Sequence, residues 1–183
     1  MAKSAGAKGF EFRKSLVGLE HPATMDFILD DSATYTIGDA VRLDTDGHLV
    51  VCGATDTVLG ILVGIVDRNG IPVSADRATG TDGATVTGDD TVTTSSTNTS
   101  DATRNLKGQV IVDPAGLCLF YNDADDTLAQ TNVGQGFDLT AAGDQIDVET
   151  ATDGTALFQL IEIDPDNDGD ASKGLFRIVE AQL

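Results

Sequence analysis

The segment of the sequence best suited to chemistry is a short acidic stretch at residues 164–170, DPDNDGD. Its oxygen-bearing side chains stand at alternate positions with glycine at the sixth, as in the first half of an EF-hand calcium loop. The twelfth position is Leu175, where an EF-hand places a bidentate glutamate, and Pro165 does not suit such a loop. We therefore predict an acidic turn between two strands and assign no metal ligands.

The residue types that most often carry catalysis are scarce or scattered. The chain has two histidines, His21 and His48, and two cysteines, Cys52 and Cys118. A zinc site of three histidines is thus impossible, and both cysteines lie in apolar runs that favour buried free thiols. No G-x-S-x-G nucleophile motif occurs, and paired aspartates follow from the acidic composition. We predict no catalytic residues and no cofactor, hence a protein that is not an enzyme.

Charge is distributed unevenly along the chain. The formal net charge is −19, yet residues 1–20 hold four basic and two acidic side chains. An acidic body repels nucleic acid, because phosphate binding needs cationic side chains that displace counterions. It either keeps particles apart or simply makes the surface soluble. We expect no nucleic-acid partner and, without an apolar signal core or membrane span, no membrane partner and synthesis in the cytosol.

The elements that would position any functional residue begin with an N-terminal arm, residues 1–20. It is small, basic and glycine-containing, and its apolar residues are too irregularly spaced for a helix. From Thr24 onward, short apolar runs alternate with turn signals, which is typical of strands. We predict an extended basic arm followed by a single β domain at 21–183.

Three segments of the β domain give specific predictions. Asp46-Gly47 between the runs AVRL and HLVV predicts a hairpin with a type I′ turn. The run Leu59 to Val66, LGILVGIV, predicts a strand buried on both faces, with Gly60 and Gly64 allowing bends or close backbone approach. Residues 79–103 are almost wholly Thr, Ser, Gly, Asp and Asn, and predict a mobile loop or a loosely packed hairpin that projects outward.

The distal half continues the same pattern. Two apolar runs bracket residues 113–116, DPAG, where proline and glycine favour a turn. ALFQLIEID and GLFRIVEAQL are the clearest strands. About ten short strands with no convincing helix predict an all-β fold, either a compact β-barrel or β-tulip, or a sandwich.

Two groups of segments resemble small virion proteins of tailed phages. The first group is YTIGDAV (35–41), DGHLV (46–50) and VLGILVG (58–64), and its succession of G-D-x-V, D-G and L-G-x-x-x-G is similar to that of capsid decoration, or cement, proteins. The second group is similar to the C-terminal half of such proteins, and comprises NDAD (122–125), NVGQGFDL (132–139), FQLI (158–161) and FRIVE (176–180).

The resemblance implies a function as well as a fold. Decoration proteins sit on the capsid exterior as homotrimers or homodimers, bridge major capsid proteins and stabilise the head. For this chain it implies the major capsid protein and further copies of itself as partners, and a place on the virion. Binding only the expanded shell would shift the equilibrium toward that shell.

We expect the arm to make the capsid contact, because its apolar groups can bury area while its cations pair with an acidic rim. An arm that completes a sheet within the oligomer is an equal alternative. A secreted acidic module that adheres through calcium is the alternative function, supported by residues 164–170 and opposed by the missing signal. The expected capsid-binding residues are Phe10, Phe12, Arg13, Lys14, Leu16 and Val17.

Overall fold

The computed structural model describes residues 9–18, 22–54, 56–73, 84–87, 91–102, 105–141, 143–149, 156–166 and 169–179. The regular secondary structure of these residues is β-strand, apart from one short 3-10 helix at Gln130–Asn132, so the all-β prediction is confirmed. The strands outnumber the ten or so predicted because several have only two or three residues. They are β1 (Glu11–Ser15), β2 (Thr24–Ile28), β3 (Thr34–Thr36), β4 (Ala40–Leu43), β5 (Leu49–Val51), β6 (Gly60–Val66), β7 (Thr85–Thr87), β8 (Thr91–Thr93), β9 (Lys107–Val112), β10 (Cys118–Asp123), β11 (Gly136–Leu139), β12 (Ile146–Asp147), β13 (Phe158–Ile163) and β14 (Lys173–Ile178).

The strands pair into three antiparallel sheets. The six-stranded sheet has the order β1-β10-β14-β13-β11-β12, the five-stranded sheet β2-β9-β6-β4-β5, and the three-stranded sheet β3-β8-β7. Of the predicted architectures, the sandwich is the one that fits, because the sheets pack face to face. Within the described ranges no sheet closes into a barrel, so the barrel and tulip alternatives do not apply.

The five-stranded sheet lies in the middle and is buried on both faces, as β6 illustrates. Successive side chains of a strand point to opposite faces. Ile61 belongs to a large core shared with the six-stranded sheet, whereas Leu62 belongs to a small core shared with the three-stranded sheet. The predicted doubly buried strand is confirmed. Each such side chain stabilises the fold by about 1.5–3 kcal/mol relative to exposure.

The two cores differ in composition. The large core is rich in aromatic rings from the six-stranded sheet, whereas the small core is mostly aliphatic around the buried Tyr35. The Phe10 and Phe158 rings stack in the large core with centroids 4.6 Å apart. The large core contains five of the seven phenylalanines: Phe10, Phe120, Phe137, Phe158 and Phe176.

Gly60 marks the closest approach of two strands in the middle sheet. A Cβ at this position would overlap the carbonyl oxygen of Ile111 and would lie 2.8 Å from Cγ1 of Val110. Any larger residue therefore forces β6 away from β9. The close backbone approach predicted for this glycine is confirmed.

The predicted hairpin at Asp46-Gly47 is present between β4 and β5, with Leu43 opposite Leu49. Its turn is longer than type I′, because only Gly47, at φ 83°, has a positive φ and residues 44–48 all lie outside the strands. The carboxylate of Asp44 closes the turn by accepting hydrogen bonds from the backbone N–H groups of Asp46 and His48, at 2.9 and 2.8 Å.

The predicted turn at residues 113–116 is also present, and it carries the chain from one sheet to another. β9, before the turn, belongs to the five-stranded sheet, and β10, after it, to the six-stranded sheet. The buried carboxylate of Asp113 accepts hydrogen bonds from the N–H groups of Leu117 and Cys118. Sequence pattern located the turn, but only tertiary packing reveals that it joins two layers.

Part of the segment at 79–103 forms the predicted hairpin, in which β7 pairs with β8. β8 also pairs with β3, so the hairpin belongs to the three-stranded sheet. Residues 79–83, 88–90 and 103 lie outside the described residues, and so does the predicted behaviour of that part of the segment.

The stretch that follows β8 corrects the prediction of loose packing. Asn98 is fully buried, and its amide nitrogen donates hydrogen bonds to the carbonyls of Leu29 and Leu106 at 2.6 and 3.3 Å. Its carbonyl accepts from the N–H of Leu106 at 2.7 Å. A polar composition therefore coexists with tight packing here, because the buried polar groups are hydrogen-bonded.

Candidate interaction surface

The predicted arm is a strand of the chain's own fold over the residues described. β1 pairs antiparallel with β10 at the edge of the six-stranded sheet. Phe10, just before β1, is 3% exposed, and its N–H donates to the carbonyl of Gly38 at 2.7 Å. The backbone is extended, as predicted, but it completes a sheet within one chain. Residues 1–8 and 19–21 lie outside the described residues.

The two predicted aromatic contacts face inward. Phe10 packs in the large core, and Phe12 lies opposite Phe120 with the rings edge to face at 6.2 Å. Phe12 is half-buried, whereas Phe10 has almost no surface left for another molecule. The capsid-contact role of the six predicted residues remains a prediction. Among them, the residues that are largely exposed are Arg13, Lys14, Leu16 and Val17.

A β-bulge brings both predicted cations to the outer face of the six-stranded sheet. The register shifts between Phe12 and Lys14, so Arg13 is the extra residue. The guanidinium of Arg13 lies 4.8 Å from the ring centroid of Tyr121, and Lys14 Nζ lies 3.5 Å from a carboxylate oxygen of Glu162. Simple alternation would have placed the two cations on opposite faces.

The outer face is an apolar layer covered by long charged side chains. Leu119, Tyr121 and Leu175 point outward in the strand register, yet they are only 1%, 6% and 2% exposed. Burial raises the pKa of the Tyr121 hydroxyl. Arg13 lies over the Tyr121 ring, where an aliphatic stem can exclude water while the charged end stays solvated.

The charges on this face are largely paired. Arg13 lies 3.4 Å from Glu11 and 3.3 Å from Asp166, and Lys173 lies 3.3 Å from Asp170. Hydrogen bonds from the Ser172 hydroxyl and N–H, together with Lys173, lower the pKa of Asp170. The β1, β10 and β14 half of the face and its border with β13 therefore hold four cations among carboxylates, a concentration of basic side chains in a chain of net charge −19. The cations are Arg13, Lys14, Lys173 and Arg177, and the carboxylates beside them include Glu11, Asp123, Glu162, Asp166 and Asp170.

An exposed apolar row ends this half of the face. Leu16 and Val17, both predicted contact residues, are 54% and 58% exposed, and Leu117 and Val179 are 37% and 45% exposed. The N–H of Leu16 donates to the carbonyl of Leu117 at 2.8 Å, and the β10–β14 register, continued by three residues, places Val179 beside Leu117. We call these four residues the apolar end. Contiguous exposed apolar groups of this kind are typical of interaction sites.

The sequence predicted two of the four residues of the apolar end, Leu16 and Val17. Leu117 and Val179 are far from the arm in sequence, and only strand pairing brings them beside Leu16. The one available signal was the alternation in GLFRIVEAQL, which puts Val179 on the same face as Leu175 and Arg177.

The acidic segment 164–170 borders the same face and forms the loop between β13 and β14. Asp164 Oδ2 accepts a hydrogen bond from the N–H of Gly169 at 2.9 Å, and Asp166 pairs with Arg13. The predicted position of this segment, as a turn joining the last two strands, is confirmed. Residues 167 and 168 lie outside the described residues. A group of metal-ligating side chains is found elsewhere, at Asp30, Asp44 and His48.

A cleft of about 440 Å³ lies between the β3 region and β5. Its lining includes Asp39, Asp144 and Cys52. Asp39 accepts a hydrogen bond from the N–H of Thr36, and burial raises the pKa of the Cys52 thiol, so that thiol stays protonated near neutral pH. Both cysteines are buried and free, as predicted. The cleft therefore offers no activated nucleophile among the described residues.

Comparisons with protein-family models, with curated proteins and with solved structures found no match to this chain. In the part of the chain that is described, no helix is long and apolar enough to cross a membrane. The function must therefore be argued from the surface itself.

Proposed function

We propose that this chain is a structural protein of a tailed-phage virion that decorates the capsid exterior and stabilises it by bridging major capsid proteins. In this proposal it acts without catalysis or cofactor and assembles as a homotrimer, or alternatively as a homodimer. The observation that carries the proposal is the apolar end, which lies beside the cations Arg13 and Lys14 on a strongly acidic chain. The resemblance of the strand motifs to decoration proteins supplies the choice of partner.

The composition of the surface supports protein binding. An interface needs apolar area at its centre and complementary charges around it. Leu16 and Val17 supply the apolar area, and Arg13 and Lys14 of β1 stand two to four residues before them. Elsewhere the high negative charge opposes close association with acidic partners.

The proposed mechanism is mechanical. Packed DNA presses a capsid outward, and a subunit that bridges neighbouring capsid proteins adds contact area that must be lost before those neighbours separate. If the chain binds only the expanded shell, mass action shifts the equilibrium toward that shell.

The first test is size-exclusion light scattering of the purified chain, alone and mixed with expanded capsid shells assembled without it. A trimer or dimer that co-migrates with shells at a fixed copy number is expected. A monomer that does not co-migrate with shells contradicts the proposal.

Point variants map the contact better than deletion of the arm, because β1 and Phe10 belong to the fold. Leu16→Ser combined with Val17→Ser is expected to weaken shell binding by about 10- to 100-fold, since each side chain loses roughly 1 kcal/mol of buried contact. Met25→Ser is the matched control, because Met25 is 51% exposed on β2 in a different sheet. Equal binding by both variants would remove the apolar end from the proposal.

A further inference from the structure

The two edge strands of the five-stranded sheet approach each other at one point, although the sheet does not close into a barrel. β2 and β5 are its edge strands, yet Leu29, just after β2, forms an isolated bridge with Leu49 of β5. The N–H of Asp30 donates to the carbonyl of Leu49 at 3.1 Å. This contact places Asp30 beside the β4–β5 turn, which contains Asp44 and His48.

Three potential ligand atoms converge where the edges meet. One carboxylate oxygen each from Asp30 and Asp44 and one ring nitrogen of His48 all lie within 4.8 Å of one another. The Asp44 and His48 side chains are 24% and 25% exposed, and Asp44 Oδ2 lies 3.9 Å from His48 Nδ1. That separation is too long for a hydrogen bond. The atoms therefore face a common point without being joined to each other.

Backbone N–H groups hold the Asp30 and Asp44 carboxylates in place. Asp44 Oδ1 accepts hydrogen bonds from two N–H groups of its own turn, and Asp30 Oδ1 accepts one from the N–H of Asp31 at 2.8 Å. The Tyr35 hydroxyl accepts the N–H of Asp30 at 2.9 Å and donates to the carbonyl of Leu49. Such outer contacts orient metal ligands in known sites.

The local charge favours a cation. Asp30, Asp44 and Asp31 supply negative charge around the Tyr35 hydroxyl. Among the described lysines and arginines, none forms a salt bridge with Asp30 or Asp44; the one ion-pair partner found is His48 itself. An ion at the common point would neutralise carboxylates that no described lysine or arginine pairs with.

We propose that Asp30, Asp44 and His48 form a binding site for a divalent first-row transition-metal ion of the zinc class, which clamps the two edges of the five-stranded sheet together. The imidazole selects against calcium and magnesium, which prefer oxygen ligands alone. Ligand-to-metal distances of about 2.0–2.2 Å require the side chains to close in by about 1 Å, which rotamer adjustment supplies. Remaining coordination positions are open to water.

The test is isothermal titration calorimetry of tag-free protein, stripped with EDTA and dialysed, with ZnCl₂ and separately with CaCl₂. One saturable zinc site per chain and no comparable calcium binding are expected. At a zinc concentration about 100-fold above Kd, the melting temperature should rise by roughly 5–10 °C. Absence of saturable zinc binding below about 1 mM overturns the proposal.

Variants distinguish a defined site from general attraction to an acidic surface. His48→Gln and Asp30→Asn should each weaken zinc binding at least about tenfold. Asp46→Asn is the matched control, because Asp46 lies exposed in the same turn and uses only its backbone N–H there. If Asp46→Asn weakens zinc binding as much as His48→Gln, or if His48→Gln has no effect, the site does not exist. Neither result bears on the capsid proposal, which concerns the opposite sheet.

Discussion

The five-stranded and six-stranded sheets are built from similar strands but meet different surroundings. The middle sheet has protein on both faces, so its central strand β6 is an apolar run interrupted only by glycine. The six-stranded sheet packs one face on the large core and turns the other outward, where Leu119, Tyr121 and Leu175 are nevertheless buried and salt-bridged Arg13 lies over Tyr121. The comparison teaches that the outer layer of side chains can bury a sheet face without a further layer of backbone.

This difference predicts how each sheet responds to substitution. In the middle sheet, volume is fixed by backbone on both sides, so small changes are costly. On the outer face of the six-stranded sheet, long side chains can readjust toward solvent, so changes there should affect binding more than stability.

The largest effect is expected at Gly60. Gly60→Ala should destabilise the fold by about 3 kcal/mol, because the added Cβ overlaps the carbonyl of Ile111. Gly47→Ala is the control: it has open space around the added atom and should lose only about 1 kcal/mol from its positive φ. Urea unfolding measures both. Equal losses would mean that β6 and β9 can separate freely, and the contrast between the sheets would fail.

The next effect concerns the polar stretch after β8, which packs like core. Asn98→Ala should cost about 2 kcal/mol, because the carbonyl of Leu29 and the N–H of Leu106 lose their Asn98 partner while buried, whereas the carbonyl of Leu106 keeps the N–H of Leu29. Thr97→Ala, at an exposed neighbouring position, should change the free energy of unfolding by less than about 0.5 kcal/mol. Chemical denaturation measures the free energy of unfolding of both variants. If Asn98→Ala is as stable as wild type, the stretch after β8 is not tightly packed.

A smaller, pH-dependent effect is expected at the connection from β5 to β6. The N–H of Gly53, at 2.7 Å, and the guanidinium of Arg42, at 2.9 Å, lower the pKa of Asp56 below its usual value of 3.8. Because the folded state holds the lower pKa, this stability is complete well above pH 3.8 and is lost as the pH falls through the folded-state pKa.

The partial exposure of this pair limits its contribution to about 0.5–1 kcal/mol. Asp56→Asn should therefore lower stability at pH 7 by that amount and leave it unchanged near pH 2. The measurement is the free energy of unfolding as a function of pH. A constant difference between Asp56→Asn and wild type across this range would show that the carboxylate charge is not responsible.

The smallest effect is expected on the outer face. Arg13→Ala removes exposed ion pairs with Glu11 and Asp166, and should change stability by less than about 0.5 kcal/mol. Arg13→Met is the companion variant, because it keeps apolar cover over Tyr121 without the charge. In thermal melts, wild type and Arg13→Met should have similar melting temperatures. A loss above about 2 kcal/mol in either variant would show that this layer is as rigid as the middle sheet.

Periodicity and turn residues predicted a large part of the fold. The all-β class, the doubly buried β6, the hairpin between β4 and β5 and the turn at 113–116 all follow from local signals, because burial and turn conformation select residue types directly. Polarity gave the wrong prediction of loose packing for residues 94–102, because composition does not reveal that Asn98 finds hydrogen-bond partners at Leu29 and Leu106.

The candidate surface was predictable only in part. Leu16, Val17, Arg13 and Lys14 drew attention as apolar and basic residues in an acidic chain, whereas Phe10 entered the same prediction and lies in the core. Exposure depends on what packs against a residue, and an irregular apolar spacing carries no information about that neighbour.

The sequence by itself determined the strand-forming segments, the acidic charge and the free, buried cysteines, since each depends on residue type and near neighbours. Only the tertiary structure decided three things: that β1 joins β10, that Leu117 and Val179 extend the row begun by Leu16, and that Asp30 reaches Asp44 and His48. The physical reason is that strand pairing connects residues far apart in sequence through backbone hydrogen bonds, which every residue except proline can donate and accept alike.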